Sequence, residues 1–391
     1  MAGPCSAEFE QMAARLGGID CAAAHPVLTV RNPAGLENWT LPVVEALMVA
    51  GAVLALAHAW RTWRRRGDPT GLAVWLAATA YVLVLEPPLY FPAAFGLDEN
   101  VGLVFVHNVF TVEFLYDRMP LYIVALYPSG IYLTYVLVER IGAFARHGAL
   151  VGAATVGFVH HCFYEVFDAL GPQLRWWAWN PAVATNEPAA GSVPLSSAFV
   201  FATVGPFGVT LLVRLLVSRR AARSDGLGLG GVVGWAVLAG LLTPLVLPLA
   251  GLPAGLAGLG RTDAHTLQAV VLGAGILAFG VVAVVGLVGG PPPGEAGAPP
   301  ADRFLAWYPV AYGVAYLATF GVLWATALPA YLDAEGGVTH DGTPVGNLAY
   351  VVACVAVCVW VLALATRATR ATRQPAPAAA PDPGEVGLNA G

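Results

Sequence analysis

The stretch ALVGAATVGFVHHCFYEVFDALG, residues 149–171, decides how this chain is read. It is long enough to span a bilayer, which takes about 20 mostly apolar residues. Yet its second half carries His160, His161, Tyr164, Glu165 and Asp168. A carboxylate at the membrane centre costs at least ~2.5 kcal/mol on insertion scales, and more if it stays unpaired. At 3.6 residues per turn, His161, Glu165 and Asp168 fall at i, i+4 and i+7 on one helical face. An intramembrane stripe of ionisable groups marks a functional site by default, and neighbouring helices are needed to cover it.

Composition places the rest of the chain around such a helix. Of 391 residues, 58% are hydrophobic and 11% charged, and the mean hydropathy is +0.69. A soluble domain would carry about a quarter charged residues. The predicted fold class is therefore all-α, a polytopic transmembrane helical bundle. Nine apolar segments of spanning length are predicted at 41–60, 70–92, 119–139, 148–169, 195–217, 228–250, 267–289, 304–328 and 346–366. The chain has no lysine and is rich in Ala, Gly and Arg, which suggests a GC-rich bacterial genome. The net charge of −5 says little, because charge is sorted by membrane side.

The arginines do that sorting. Arg61, Arg64, Arg65 and Arg66 follow the first span, Arg140 and Arg146 the third, and Arg214, Arg219, Arg220 and Arg223 end the fifth. Arg303 precedes the eighth span, and Arg367, Arg370 and Arg373 follow the ninth. These are 14 of the 19 basic residues, and the positive-inside rule makes their side cytoplasmic. The N-terminus is then outside and the C-terminus inside, in the cell membrane. The predicted organisation is an extracytoplasmic segment 1–40, a bundle 41–289 holding the polar site, a cytoplasmic Pro/Gly linker 290–302, two further spans within 303–366, and a disordered cytoplasmic tail 367–391. The first 30 residues lack a basic n-region and a long apolar run, so a cleaved signal peptide is not expected. Cys5 and Cys21, both in the outer segment, are free to bridge there. Cys162, Cys354 and Cys358 read as small buried hydrophobes. No nucleotide-binding glycine motif or nucleic-acid patch is present.

Polar residues crowd the outer side. The run LDENVGLVFVHNVFTVEFLYDRMPLY (97–122) contains His107, Asn108, Glu113, Tyr116, Asp117 and Arg118. Glu113 and Asp117, at i and i+4, share a face if the segment is helical. After the fourth span comes GPQLRWWAWNP (171–181), with Arg175, Trp176, Trp177, Trp179 and Asn180. The tryptophans read either as a bilayer belt or as the wall of a pocket for an unsaturated hydrocarbon or a cation. A carboxylic acid kept in a low-dielectric site can protonate an alkene, and aromatic faces then stabilise the carbocation. Glu165 and Asp168 lead as acids, followed by Glu113 and Asp117, with Glu86 before Pro87 and Pro88 a fifth buried carboxylate. Tyr164, Trp176, Trp177, Trp179, Asn180, Tyr127, Arg118 and Arg175 are the predicted substrate-binding residues.

Other chemistries are open. His107, His161 and Glu165 are the best metal ligands if a metal binds, but no cofactor is expected, and no histidine box of the membrane di-iron desaturase kind occurs. A purely structural cluster, with Arg118 or Arg175 against Asp168, would also let these charges survive in a bundle. Spans six to nine are plain Gly/Ala/Val/Leu helices suited to close packing. Their polar residues Arg261, Asp263, His265, His340 and Asp341 fall in outer loops. That lopsidedness argues against an inverted-repeat carrier.

Three runs resemble landmarks of the integral-membrane carotenoid hydratases: ALYPSGIYLTY (125–135), FDALGPQLRWWAWN (167–180) and VPLSSAFVF (193–201). The small membrane-bound terpene cyclases have a similar compact bundle with essential acids. The likeness covers about residues 113–205. It departs at Ser197, where the hydratase pattern favours Asn, and in the insertion PAVATNEPAAG (181–191). It implies a membrane enzyme that cyclises or hydrates a polyprenoid or other lipid by acid-initiated alkene chemistry. The alternative is a non-enzymatic carrier or structural bundle whose His/Glu/Asp cluster is structural or holds a metal.

Overall fold

The computed structural model describes residues 5–99, 101–222, 227–259, 264–289 and 302–371. Arg223, Arg261, Asp263, the linker segment 290–301 and the chain from residue 372, with most of the expected tail, lie outside the described residues. Among the described residues, nine helices are long and apolar enough to cross a membrane. After a short outer helix α1 (Ala7–Ala14) they are α2 (Thr40–Arg66), α3 (Thr70–Tyr90), α4 (Leu121–Ile141), α5 (Ala143–Asp168), α6 (Leu195–Ala221), α7 (Leu229–Ala257), α8 (Ala264–Leu287), α9 (Arg303–Leu332) and α10 (Leu348–Arg370). The chain is a multi-pass membrane protein built as an all-α bundle.

The helix ends differ from the sequence expectation mainly where polar residues continue a helix beyond the apolar core. α2 runs on through Arg64, Arg65 and Arg66, whose positive charge suits a helix C-terminus, and stops at Gly67 in the left-handed region (φ 73°). α5 contains a sharp break at Gly148 (φ 76°, ψ −173°), a conformation that only glycine adopts without strain, so the membrane-crossing part starts at residue 149.

α4 and α5 form the centre. Some 83% of the best spanning window of each is buried inside the protein, against 33% for α7, α8 and α10. The outer helices approach through small residues, as expected where lipid supplies no hydrophobic drive. A Cβ on Gly240 of α7 would lie 2.5 Å from the Ala77 carbonyl oxygen of α3, and one on Gly157 of α5 would lie 2.7 Å from the Thr203 carbonyl oxygen of α6.

The two ends of the bundle are chemically distinct. At one end Arg61 and Arg65 pair with Asp302. There too Arg140 donates to the carbonyls of Leu305 and Ala306, and Arg146 to that of Gly286. At the other end the N-terminal segment and the loops 91–120, 169–194 and 333–347 meet in a cap. Asn38 donates to the Leu174 carbonyl, Arg175 to that of Asp341, and a Cys5–Cys21 disulfide closes the α1 loop. The disulfide-closed cap and the arginine-rich end therefore lie at opposite ends of the bundle.

The cap contains strands that the sequence reading assigned as loop or helix. β1 (Leu28–Val30), β3 (Val112–Phe114) and β4 (Met119–Pro120) form one small antiparallel sheet, and β2 (Phe105–His107) pairs with β5 (Trp177–Trp179). β6 (Ala189–Ala190) and β7 (Val193–Pro194) make a hairpin before α6.

Candidate functional site

The β2–β5 ribbon organises the site through the two-residue strand period. Its register sets Phe105 opposite Trp179, Val106 opposite Ala178 and His107 opposite Trp177. Val106 and Ala178 therefore face outward, where they pack with Phe9, Met12 and Leu16 of the α1 segment. Phe105, His107, Trp177 and Trp179 face the bundle. There they roof a cavity of about 20 Å3, room for about one water. Its floor and sides come from Glu86 of α3, Tyr122, Ile123 and Tyr127 of α4, Tyr164, Phe167 and Asp168 of α5, and Phe201 of α6.

Two carboxylates thus share one aromatic enclosure. Glu86 accepts from the Tyr127 hydroxyl at 2.8 Å, and Asp168 from the Ser197 hydroxyl at 3.1 Å. Neither forms a salt bridge among the described residues, which is unusual for charges at this depth. His107 Nδ1 lies 3.0 Å from the Tyr122 hydroxyl. Burial pushes its imidazole down to about 3, so it is neutral at physiological pH. Among the described residues Glu86 Oε2, His107 Nε2 and the indole nitrogens of Trp177 and Trp179 have no hydrogen-bond partner. Each such buried group costs about 1–3 kcal/mol, and four on one small cavity mark polar capacity held open for something else.

Two walls of the cavity are thin. Phe201 is half-buried and lies in a π-helical segment, Val200–Val204, of α6, a local unwinding that recurs at functional sites. Trp177 and Trp179 also line an outer cleft of about 310 Å3 together with Arg15, Arg175, Asn180 and Glu187.

The structure separates the residues that the sequence grouped. Asp168, Tyr164, Tyr127, Trp177 and Trp179 meet at the cavity. Glu165, His160 and His161 are buried in the interior as expected, but they face α6 and α10 rather than Glu113, Asp117 or Arg118. His160 Nδ1 is 2.8 Å from the Ala202 carbonyl, and His161 contacts the Ala198 carbonyl, Thr203 and the Tyr350 hydroxyl. Glu165 lies 3.9 Å from His161 and makes no contact with the cavity. His107, His161 and Glu165 do not form a ligand set, and no group of three or more His, Cys, Asp or Glu with metal-binding geometry occurs among the described residues.

Glu113 and Asp117 come together by a different route from the one expected. They lie in a hairpin, and Leu115, Tyr116 and Asp117 occupy the left-handed region (φ 55°, 59° and 58°). That conformation costs non-glycine residues about 1–2 kcal/mol each. Arg31 holds the turn by pairing with both carboxylates, Thr29 donates to Asp117, and Glu113 also accepts from the Phe110 amide. Burial pushes the Glu113 carboxyl up to about 8, against the opposing pull of Arg31 and the amide.

The remaining expected residues also have definite places. Trp176 is fully buried, donates to Thr40 and stacks on Phe167, so it belongs to the core rather than to a bilayer belt. Arg118 lies 4.2 Å and 4.4 Å over the rings of Phe9 and Phe91 and donates to the Tyr90 carbonyl, and Arg175 donates to the Asp341 carbonyl. Among the described residues Asp168 accepts from Ser197 and forms no salt bridge with either arginine. Asn180 donates to Glu8 and to the Leu103 carbonyl. Sequence reasoning missed Arg31, and it did not include Glu86, Tyr122, Phe105 or Phe201 among the predicted site residues. The alternations F-V-H and W-A-W signal a ribbon, and Arg31 stands out as an arginine on the outer side against the positive-inside bias.

Residues 28–222 match the model of a protein family described as a domain of unknown function (DUF7802). The match spans α2 to α6 with all three small cap sheets and every cavity residue, and stops before α7. No curated protein and no solved structure gives a significant match.

Proposed function

We propose that this protein is a bacterial cell-membrane enzyme that acts on an isoprenoid or other unsaturated lipid by acid-initiated alkene chemistry, with Asp168 as the acid. The observation that carries this reading is the pair of carboxylates, Asp168 and Glu86, that have no cationic partner among the described residues and share a cavity lined mainly by aromatic rings. Asp168 gives its proton to an alkene carbon. The π faces of Tyr122, Tyr164, Phe167 and Trp177 stabilise the resulting cation and exclude bulk water. The cation ends either by losing a neighbouring proton to the Asp168 carboxylate, which gives a cyclised or isomerised product, or by capture of one water. In the second case the proton of the added water passes to a carboxylate, Asp168 or Glu86. Neutral His107 orients the water and carries no charge that would repel the cation. The carotenoid hydratase-like runs at 125–135, 167–180 and 193–201 agree with this reading, since they supply α4, the Asp168–Trp179 segment and the start of α6.

In the described structure the cavity holds little more than a water, so substrate entry requires Phe201 or the tryptophan pair to swing aside. The test compares membrane lipids of a strain lacking the protein with strains making the wild type, Asp168→Asn or Glu165→Gln. Asp168→Asn is expected to accumulate as folded protein and to give the lipid profile of the deletion. Glu165→Gln, away from the cavity, is expected to keep activity in proportion to its folded amount. A wild-type lipid profile from folded Asp168→Asn would refute the assignment.

A further inference from the structure

We propose that the outer cleft binds the anionic head group of an amphiphilic substrate, with Arg15 and Arg175 as its ligands. This rests on the reading of the inner cavity as the reaction site, and it adds the class of molecule that reaches it.

One buried side chain ties the two arginines together. Asn108, on the loop after β2, donates through the same Nδ2 atom to the Leu16 carbonyl and to the Arg175 carbonyl, each at 2.7 Å. The chain segments bearing Arg15 and Arg175 are thereby held against one another, although they are 160 positions apart in the sequence. Both guanidinium groups are exposed and line the cleft. Among the described residues neither meets a carboxylate, and the recorded hydrogen bond of Arg175 is to the Asp341 carbonyl at 3.2 Å. Glu187 is the one acidic residue of the cleft wall, which leaves the cleft net positive.

The backbone supports the same reading. Arg175 sits in the left-handed region (φ 56°), a strained state for arginine that persists where surrounding structure enforces it, as at ligand sites. Arg15 lies within the loop that the Cys5–Cys21 disulfide closes. A cluster of arginines outside the membrane serves no topological purpose, whereas paired guanidinium forks match phosphate or carboxylate oxygens.

Trp177 and Trp179 lie on both the cleft and the cavity, and their indole N–H groups are buried and unpaired. A head group held at Arg15 and Arg175 places the attached chain at these two rings, the wall between the cleft and Asp168. The cleft volume of about 310 Å3 suits a head group and the first part of a chain, not a whole lipid.

The experiment uses full-length protein in detergent and follows its thermal unfolding with three probes: a long-chain prenyl phosphate, the corresponding prenyl alcohol, and inorganic phosphate. The prenyl phosphate is expected to bind at least about tenfold more tightly than the alcohol and than inorganic phosphate. Arg15→Gln and Arg175→Gln are each expected to remove about tenfold of that preference. Both side chains are exposed, so folding is preserved, and Arg175→Lys is expected to restore part of the preference. Equal binding of phosphate and alcohol, or a preference that survives both substitutions, would overturn the proposal. So would inorganic phosphate binding as tightly as the amphiphile, which would make the cleft a site for a free ion. Asp168→Asn protein is expected to bind the prenyl phosphate like the wild type, so loss of head-group preference and loss of acid chemistry are read separately.

Discussion

Replacing Arg31 by glutamine should destabilise the protein in a pH-dependent way. The Arg31 guanidinium is the one cation paired with Glu113 and Asp117 among the described residues, and their side chains are 0% and 4% exposed. Removing one partner of a buried pair costs about 3–5 kcal/mol. Arg31 itself is 26% exposed, so solvent screening reduces the figure to about 2–4 kcal/mol. The share of that cost owed to Glu113 applies while Glu113 is charged, and the Asp117 pairing adds to it. The folded-state value of Glu113 is about 8 against an ordinary 4.5. A raised carboxyl value means that the folded state holds the proton longer, so wild-type stability from this group is full below about 4.5 and declines as pH rises through 8. Arg31 limits that decline by pairing with the anion, and the variant loses this protection. Thermal unfolding in detergent at pH 5 and pH 9 is the assay. The Arg31→Gln deficit is expected to be clearly larger at pH 9, by several degrees in Tm. An equal deficit at both pH values, or none, would refute the clasp as described.

His107 gives the opposite slope. Its folded-state value lies near 3 against an ordinary 6.5, so its contribution is present above 6.5 and is lost as pH falls; His107→Gln should flatten acid destabilisation between pH 6.5 and 4, and an unchanged acid limb would contradict this. Mutating Cys5 and Cys21 to serine opens a loop of 16 residues' separation, worth about 3 kcal/mol of closure entropy, and limited proteolysis should then release the α1 segment while leaving α2 to α10 intact. Gly240→Ala drives a methyl into the Ala77 carbonyl at 2.5 Å and should cost about 1–3 kcal/mol; a variant as stable as the wild type would mean that α3 and α7 pack differently. Single cysteines at positions 65 and 340 test topology, since an impermeant reagent on intact cells should label position 340 and spare position 65.

The bundle was legible because lipid imposes a simple rule: each crossing needs about 20 apolar residues, and the arginines mark one side. The stripe on α5 was legible for the same reason, since Glu165 and Asp168 cannot face acyl chains. Which of its members share a cavity was not, because a helical face spans about a third of the circumference. Asp168 joins residues of α3 and α4 at the cavity and accepts from Ser197 of α6, while Glu165 lies beside His161, off the cavity, on the side of Tyr350 of α10. The cap was the harder part. Strands of two or three residues carry too little periodicity to be distinguished from loop, and the partners Phe105–His107 and Trp177–Trp179 lie some seventy positions apart. Arg31 was hidden in the same way, because its two acids are 82 and 86 positions away.

In the proposed reaction a protein carboxylic acid delivers a solvent-derived proton to a carbon of the substrate. Membranes containing the wild-type protein, incubated in deuterated water with the lipid extract of the deletion strain, test it directly. A new lipid bearing one carbon-bound deuterium, formed with wild-type protein and absent with Asp168→Asn, is the predicted result. A product free of carbon-bound deuterium, or one formed equally well by folded Asp168→Asn, would contradict it.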